Sequence, residues 1–209
     1  MKRNILFALA AFLVCGLTVT LLTQCKKDKS SNNPVIVNHP EVTMRYFVSV
    51  SPDVLNVADI EINYIDETGA KQKEIMTSTV WNKLLTANSL PLTEGVWAKL
   101  TPKASIAEGD YQLQIKTAAS YMAELADGTE AYEAWGNDFD EVIPAENADE
   151  VAAWCAKSPT VAITLNEAGN AQLTTVDFGG NSGSGGGGLL ACELFCWIWD
   201  LDPAVYCAK

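Results

Sequence analysis

The chain is short of the side chains on which most enzyme chemistry depends. It has one histidine, His39, in 209 residues, and Pro40 follows it directly. A Ser–His or Cys–His nucleophile pair needs its imidazole held rigidly within hydrogen-bond reach. A polar stretch bounded by proline does not supply that. Gly-Lys-Ser, Gly-Lys-Thr, Gly-x-Ser-x-Gly and His-Glu-x-x-His are all missing, so the mechanisms those motifs carry have no seat. Cationic side chains are scarce too, with 14 Lys and Arg against 26 Asp and Glu and a net charge of −12. After Arg3 the only arginine is Arg45, and no Lys or Arg stands between Lys116 and Lys157. Nucleic acid, whose phosphates demand such residues, is therefore not an expected partner. The expectation is a protein that is not an enzyme.

There is a single long apolar run. Ile5–Leu22 carries no charge, a basic Met1-Lys2-Arg3-Asn4 head precedes it, and Leu22-Thr23-Gln24-Cys25 closes it before Lys26-Lys27-Asp28-Lys29. A basic head, an apolar segment and a short closing region describe an export signal. The leucine three residues before a cysteine resembles the lipobox of bacterial lipoproteins, with Gln24 where that family usually has a small residue. The resemblance implies that residues 1–24 are removed and that Cys25 is lipidated and becomes the mature N-terminus. Loss of Lys2 and Arg3 would make the exported chain two units more negative. The run is also just long enough to span a bilayer as a retained helix, and an ordinary cleaved signal is the third reading. Residues 25–40 read as a lipid anchor and tether, whose lysines suit anionic headgroups. The expected location is the cell envelope, as an outer-membrane lipoprotein.

Cysteine use agrees with export. Apart from Cys15 in the signal and Cys25, four remain: Cys155, Cys192, Cys196 and Cys207. An even number in an oxidising compartment suggests two disulfides, with three pairings left open. A docked tail would leave Cys155 available to pair with one of its cysteines. A zinc site on Cys192, Cys196 and Cys207 is the weaker alternative, because the spacing is loose.

From Glu41 the pattern becomes period two. Val42, Met44, Tyr46, Val48 and Val50 alternate with Thr43, Arg45 and Ser49, which predicts a half-buried strand ended by Ser51-Pro52-Asp53. Ala58–Tyr64 repeats the pattern, Asp66-Glu67-Thr68-Gly69 turns, and Lys71–Trp81 returns as the hairpin partner. Further strands are expected at 84–92, 96–104 and from Tyr111. Val161–Leu165 and Ala171–Thr175 form another hairpin across Asn166–Asn170. Glu108-Gly109-Asp110-Tyr111-Gln112-Leu113 resembles the tyrosine corner of Greek-key sandwiches, which implies that the Tyr111 hydroxyl bonds back to the chain a few residues upstream. The fold class is mainly β: an antiparallel, immunoglobulin-like sandwich over 41–178 with a short helical acidic insert.

That insert is read as 118–158. It carries ten carboxylates from Glu124 to Glu150. Asn147 and Glu150 resemble a capping box for a helix over 148–157, with Val151, Trp154 and Cys155 on one face. Asn137, Asp138, Asp140 and Glu141 are the candidate ligands for Ca²⁺, although their spacing does not match an EF-hand; a solvated acidic loop is the alternative. Tyr132, Trp135 and Phe139 are candidate platforms for a glycan or anchors to the core. No other cofactor is expected.

Gly179–Gly188 holds seven of the 14 glycines and reads as a linker. Residues 189–209 form a Cys/Trp-rich segment too apolar to stay free in water. Phe195, Trp197, Trp199 and Tyr206 are its candidate contacts with the sandwich, a membrane or a partner. The whole resembles the lipoproteins abundant in Bacteroidota, with a membrane-anchored binding module as the expected role and a protein or glycan ligand. A fimbrillin-like subunit that assembles by strand exchange, or a carrier of an active C-terminal peptide, is the alternative.

Overall fold

The computed structural model describes residues 40–107, 110–125, 127–144, 148–157, 159–179, 188–189, 196 and 199, with backbone alone for 137–144 and 188–189. The signal, Cys25, the tether and most of the C-terminal segment, including Cys192, Phe195, Trp197, Tyr206 and Cys207, lie outside the described residues.

The chain builds two antiparallel sheets packed face to face. Its elements are β1 (Glu41–Val50), α1 (Pro52–Val57), β2 (Ala58–Ile65), β3 (Lys71–Met76), β4 (Val80–Ala87), β5 (Leu92–Pro102), β6 (Asp110–Glu124), β7 (Glu130–Pro144), α2 (Ala148–Ala156), β8 (Thr160–Leu165), β9 (Ala171–Leu173) and β10 (Gly188–Leu189). One sheet runs β10-β7-β6-β1-β4 and the other β3-β2-β5-β8-β9. This is the expected sandwich.

The alternation in β1 decides the core. Val42, Met44, Tyr46, Val48 and Val50 are all buried; Tyr46, Val48 and Val50 cluster with Ile60, Ile62, Val96, Ala98, Leu113 and Val161, and Val42 and Met44 with Tyr121, Ile163 and Leu165. Side chains two residues apart share a face of a strand, so one apolar set per strand fills the space between layers. The Tyr111 hydroxyl donates to the Ala107 carbonyl at 2.7 Å, the upstream bond expected of a tyrosine corner. The helix over 148–156 also forms, and Val151, Trp154 and Cys155 are its buried face.

Three expectations are corrected. Ser51-Pro52-Asp53 does not simply end β1 but opens a short helix, α1, with Pro at its start and Val54 and Val57 buried. Proline suits that position because the first N–H of a helix has no intrahelical partner. Ser51 and Asp53 tie this helix to β6, through Ser51 Oγ to the Gln112 carbonyl at 2.6 Å and Gln112 N–H to Asp53 Oδ2 at 2.9 Å.

Second, Lys71–Trp81 is not one strand. It divides into β3, at the edge of one sheet, and β4, at the edge of the other. Glu74 joins the two edges by accepting from Trp81 Nε1 at 2.8 Å and Lys83 Nζ at 2.6 Å, as well as from Tyr64 at 2.8 Å.

Third, most of the supposed insert is sheet. β6 runs through Glu124, and β7 pairs with it residue by residue from Glu130↔Glu124 to Pro144↔Asp110.

Candidate functional site

The outward side of the β10-β7-β6-β1-β4 sheet is where an expected contact residue meets the sandwich. On β1 the outward positions include Arg45 and Phe47, and register places them opposite Ser120 and Ala118 of β6. Those two lie opposite Ala134 and Gly136 of β7. Four small residues side by side leave a trough flanked by Phe47. Phe47, Ala118, Ser120, Ala134 and Gly136 are nevertheless buried. A covering layer accounts for this: Trp199 packs on Phe47 and Ala118. Its indole N–H donates to Ser120 Oγ at 3.0 Å, and the Arg45 guanidinium carbon stands 5.8 Å from the ring centre. Ser120 Oγ in turn donates to the Arg45 carbonyl at 3.0 Å. Cys196 is fully buried, and Gly188–Leu189 pairs with Gly136 and Trp135 of β7.

A guanidinium over an indole face is an electrostatic attraction to the ring's negative quadrupole, and the hydroxyl fixes the ring's edge. The arrangement is a seat for one flat aromatic group with one polar edge. Of the four aromatics singled out in the tail, Trp199 occupies it.

The other outer face is covered by chain as well. Phe178 and Val176 lie over Ile65 and Trp97, and the rings of Trp97 and Phe178 stack 6.2 Å apart. Gly95 makes room, since a Cβ there would come within 3.3 Å of Phe178 Cζ. Thus the residues on both sides of the glycine linker lie against the sandwich, on opposite faces.

Of the expected disulfide candidates, Cys155 and Cys196 are described, while Cys192 and Cys207 lie outside the described residues. Cys155 sits in the core between the sheets, and burial pushes its thiol up to about 11. No disulfide joins it to Cys196. Trp199 does not settle on the helix of Cys155 but on the outer side of a sheet.

The Ca²⁺ candidates Asn137, Asp138, Asp140 and Glu141 lie on β7, where Asp138 pairs with Lys116. Extended backbone spreads them over about 13 Å, in place of the loop that would wrap an ion. Among the residues whose side chains are described, which do not include these four, no group of three or more metal-binding side chains converges. Trp135 packs partly buried against the core, as an anchor. Tyr132 instead lines a shallow hollow of about 140 Å³ with Glu41, Glu124 and Glu130.

A larger cleft, about 330 Å³, opens at one end of the sandwich between the Asp66–Gly69 turn and the Ser89–Leu92 loop, over Met44. Its Asp66 carboxylate is already engaged. It accepts from Thr68, Ala70 and Gln72, and these bonds hold it down to about 2. One residue pair deeper along the same strands lie Tyr46 and Glu94. Glu94 is fully buried and neither carboxyl oxygen has a hydrogen-bond partner. Desolvation pushes its pKa well above the ordinary carboxylate range. Sequence reasoning missed Glu94, although its spacing to Val96, Ala98 and Leu100 puts it on the core face.

Together these features define an antiparallel β-sandwich with the chain's own Trp199 packed on the outer side of one sheet. Comparison with known protein families, with curated proteins and with solved structures finds no match.

Proposed function

We propose that the chain is an exported lipoprotein, anchored through Cys25, whose sandwich is a non-enzymatic interaction module of the cell envelope. The Leu22-Thr23-Gln24-Cys25 ending of the apolar segment supports the anchor. The observation that carries the interaction role is the seat of Arg45, Phe47 and Ser120 filled by Trp199. Trp199 belongs to no strand, so its contact can open with the β1–β6 and β6–β7 pairing intact. In the closed protein the chain's own indole holds the seat, and a partner presenting an aromatic group enters by displacing it.

Two experiments separate the parts of this reading. Cys25→Ala should move the protein from the detergent fraction to the soluble fraction or leave an uncleaved precursor; an unchanged, fully processed membrane pool rules out the anchor. For the seat, Trp199→Ala in the full chain should bind an added peptide of residues 189–209, read by fluorescence anisotropy, while the parent chain binds it far more weakly. Equal binding by both, or by neither, removes the interaction role from this face.

A further inference from the structure

Among the described residues the two sheets end in four edge strands, and they are not protected alike. β10 has two residues and β9 three. β3 carries Lys71, Lys73 and Glu74. Short length and charge are the usual means by which an edge avoids pairing with another chain. β4 has neither on its outward face. It is eight residues long, contains no proline or glycine, and shows Val80, Asn82, Leu84 and Thr86 outward. Val80 is 48% exposed and Leu84 58%.

The backbone of β4 is open at the same positions. The Val50 N–H donates to the Thr79 carbonyl at 2.9 Å, and antiparallel hydrogen bonding alternates along a strand. Odd-numbered residues of β4 therefore turn their amides toward β1. The N–H and C=O groups of Val80, Asn82, Leu84 and Thr86 are left at the free edge.

We propose that β4 is a self-association edge, and that it pairs antiparallel with β4 of a second copy about a two-fold axis at Asn82. The occupant follows from the pattern. Val80 and Leu84 are equally spaced about Asn82, so this register sets each exposed aliphatic side chain of one copy against the other type in the second copy. It also joins the open amides in three pairs, about six hydrogen bonds. On the inward face Lys83 meets Trp81, and each Lys83 keeps its Glu74. Centring on Lys83 would stack two ammonium groups, and centring on Leu84 would set Val80 against Asn88, beyond the strand. A two-fold contact of this kind closes on itself and joins two five-stranded sheets into one.

The test uses the full chain in density-matched detergent. Analytical ultracentrifugation should show a dimer, and Leu84→Lys should weaken it at least about tenfold while leaving the thermal melt unchanged at dilutions where the parent is also monomeric. Asn82→Cys should give a disulfide between two copies of residue 82 under mild oxidation, because facing residues of a hydrogen-bonded pair lie within disulfide reach. Peptide mapping identifies that link. Thr86→Cys, which faces Ser78 in this register, should not link to itself. A monomer near 100 μM, a dimer that survives Leu84→Lys, or self-linking at residue 86 and not at 82 would overturn the proposal. None of these outcomes depends on the Trp199 seat.

Discussion

Two glutamates of one sheet, on strands either side of β2, show how much position decides. Glu74, on β3, lies where the two sheet edges meet and accepts from Tyr64, Trp81 and Lys83. The Lys83 bond, then the Trp81 bond, hold its pKa below the ordinary value. Glu94, on β5, lies between the sheets with no partner for either oxygen, and burial drives its pKa the other way. The same side chain is a clasp in one place and a source of strain in the other. Where water is excluded, the supply of donors rather than the charge decides the sign.

The two groups should also give opposite pH slopes. Glu74 is more acidic folded than unfolded, so its contribution is present above the unfolded carboxyl pKa and lost as pH falls through its folded value. Glu94 holds its proton more tightly in the folded chain. Its folded form is least costly below the unfolded value, and stability falls as pH rises from there toward the raised folded pKa.

The largest expected effect comes from removing the unpartnered carboxyl. Glu94→Leu should raise the unfolding free energy by about 1–3 kcal/mol at pH 8, the cost of an unsatisfied buried group, and by less at pH 4. Urea denaturation at both pH values measures it, and an unchanged midpoint at pH 8 would erase the contrast with Glu74. Glu94→Gln keeps a buried polar group but cannot ionise, so it should flatten the alkaline slope with a smaller gain.

Tyr46 sharpens the same comparison. Its hydroxyl donates to the Ile65 carbonyl at 2.9 Å and accepts from the Gly95 N–H at 3.2 Å, beside Glu94. Tyr46→Phe leaves both backbone groups unpaired and should cost about 1–2 kcal/mol. Thermal melts should show the loss at every pH, unlike the Glu94 effect.

Glu74→Gln should cost less, about 0.5–1 kcal/mol. The Glu74–Lys83 pair is about a third exposed on both sides, and water screens it. Its signature is a stability loss at pH 7 that disappears in acid. Smallest is Lys83→Met, a few tenths of a kcal/mol that should fade further in 1 M salt.

Parts of this arrangement are legible in the residues. The alternation of β1 and β2, the turn residues between β8 and β9, the tyrosine corner and the apolar face of α2 all follow from local pattern. β6 was obscured for a physical reason. Its Ala118-Ala119-Ser120-Tyr121 stretch is buried on both faces, inside by the core and outside by the layer that includes Trp199. A strand covered on both sides loses the polar–apolar alternation that marks a strand. Glu94 was obscured in the opposite way: its spacing placed it inward while its charge argued against burial.

The sequence by itself determined that this is an acidic, mainly β chain with an apolar N-terminal run closed by Leu22-Thr23-Gln24-Cys25, a glycine-rich stretch and an aromatic C-terminal segment. Those features depend on residue type and short-range spacing, which the chain carries locally. Only the tertiary structure decided that β3 and β4 part into different sheets, that the 118–144 region is a strand pair, and that Arg45, Phe47 and Ser120 converge on Trp199. Arg45 and Trp199 are more than 150 residues apart. No local preference brings them together, and only the packing of β1 beside β6, with Trp199 laid across both, does so.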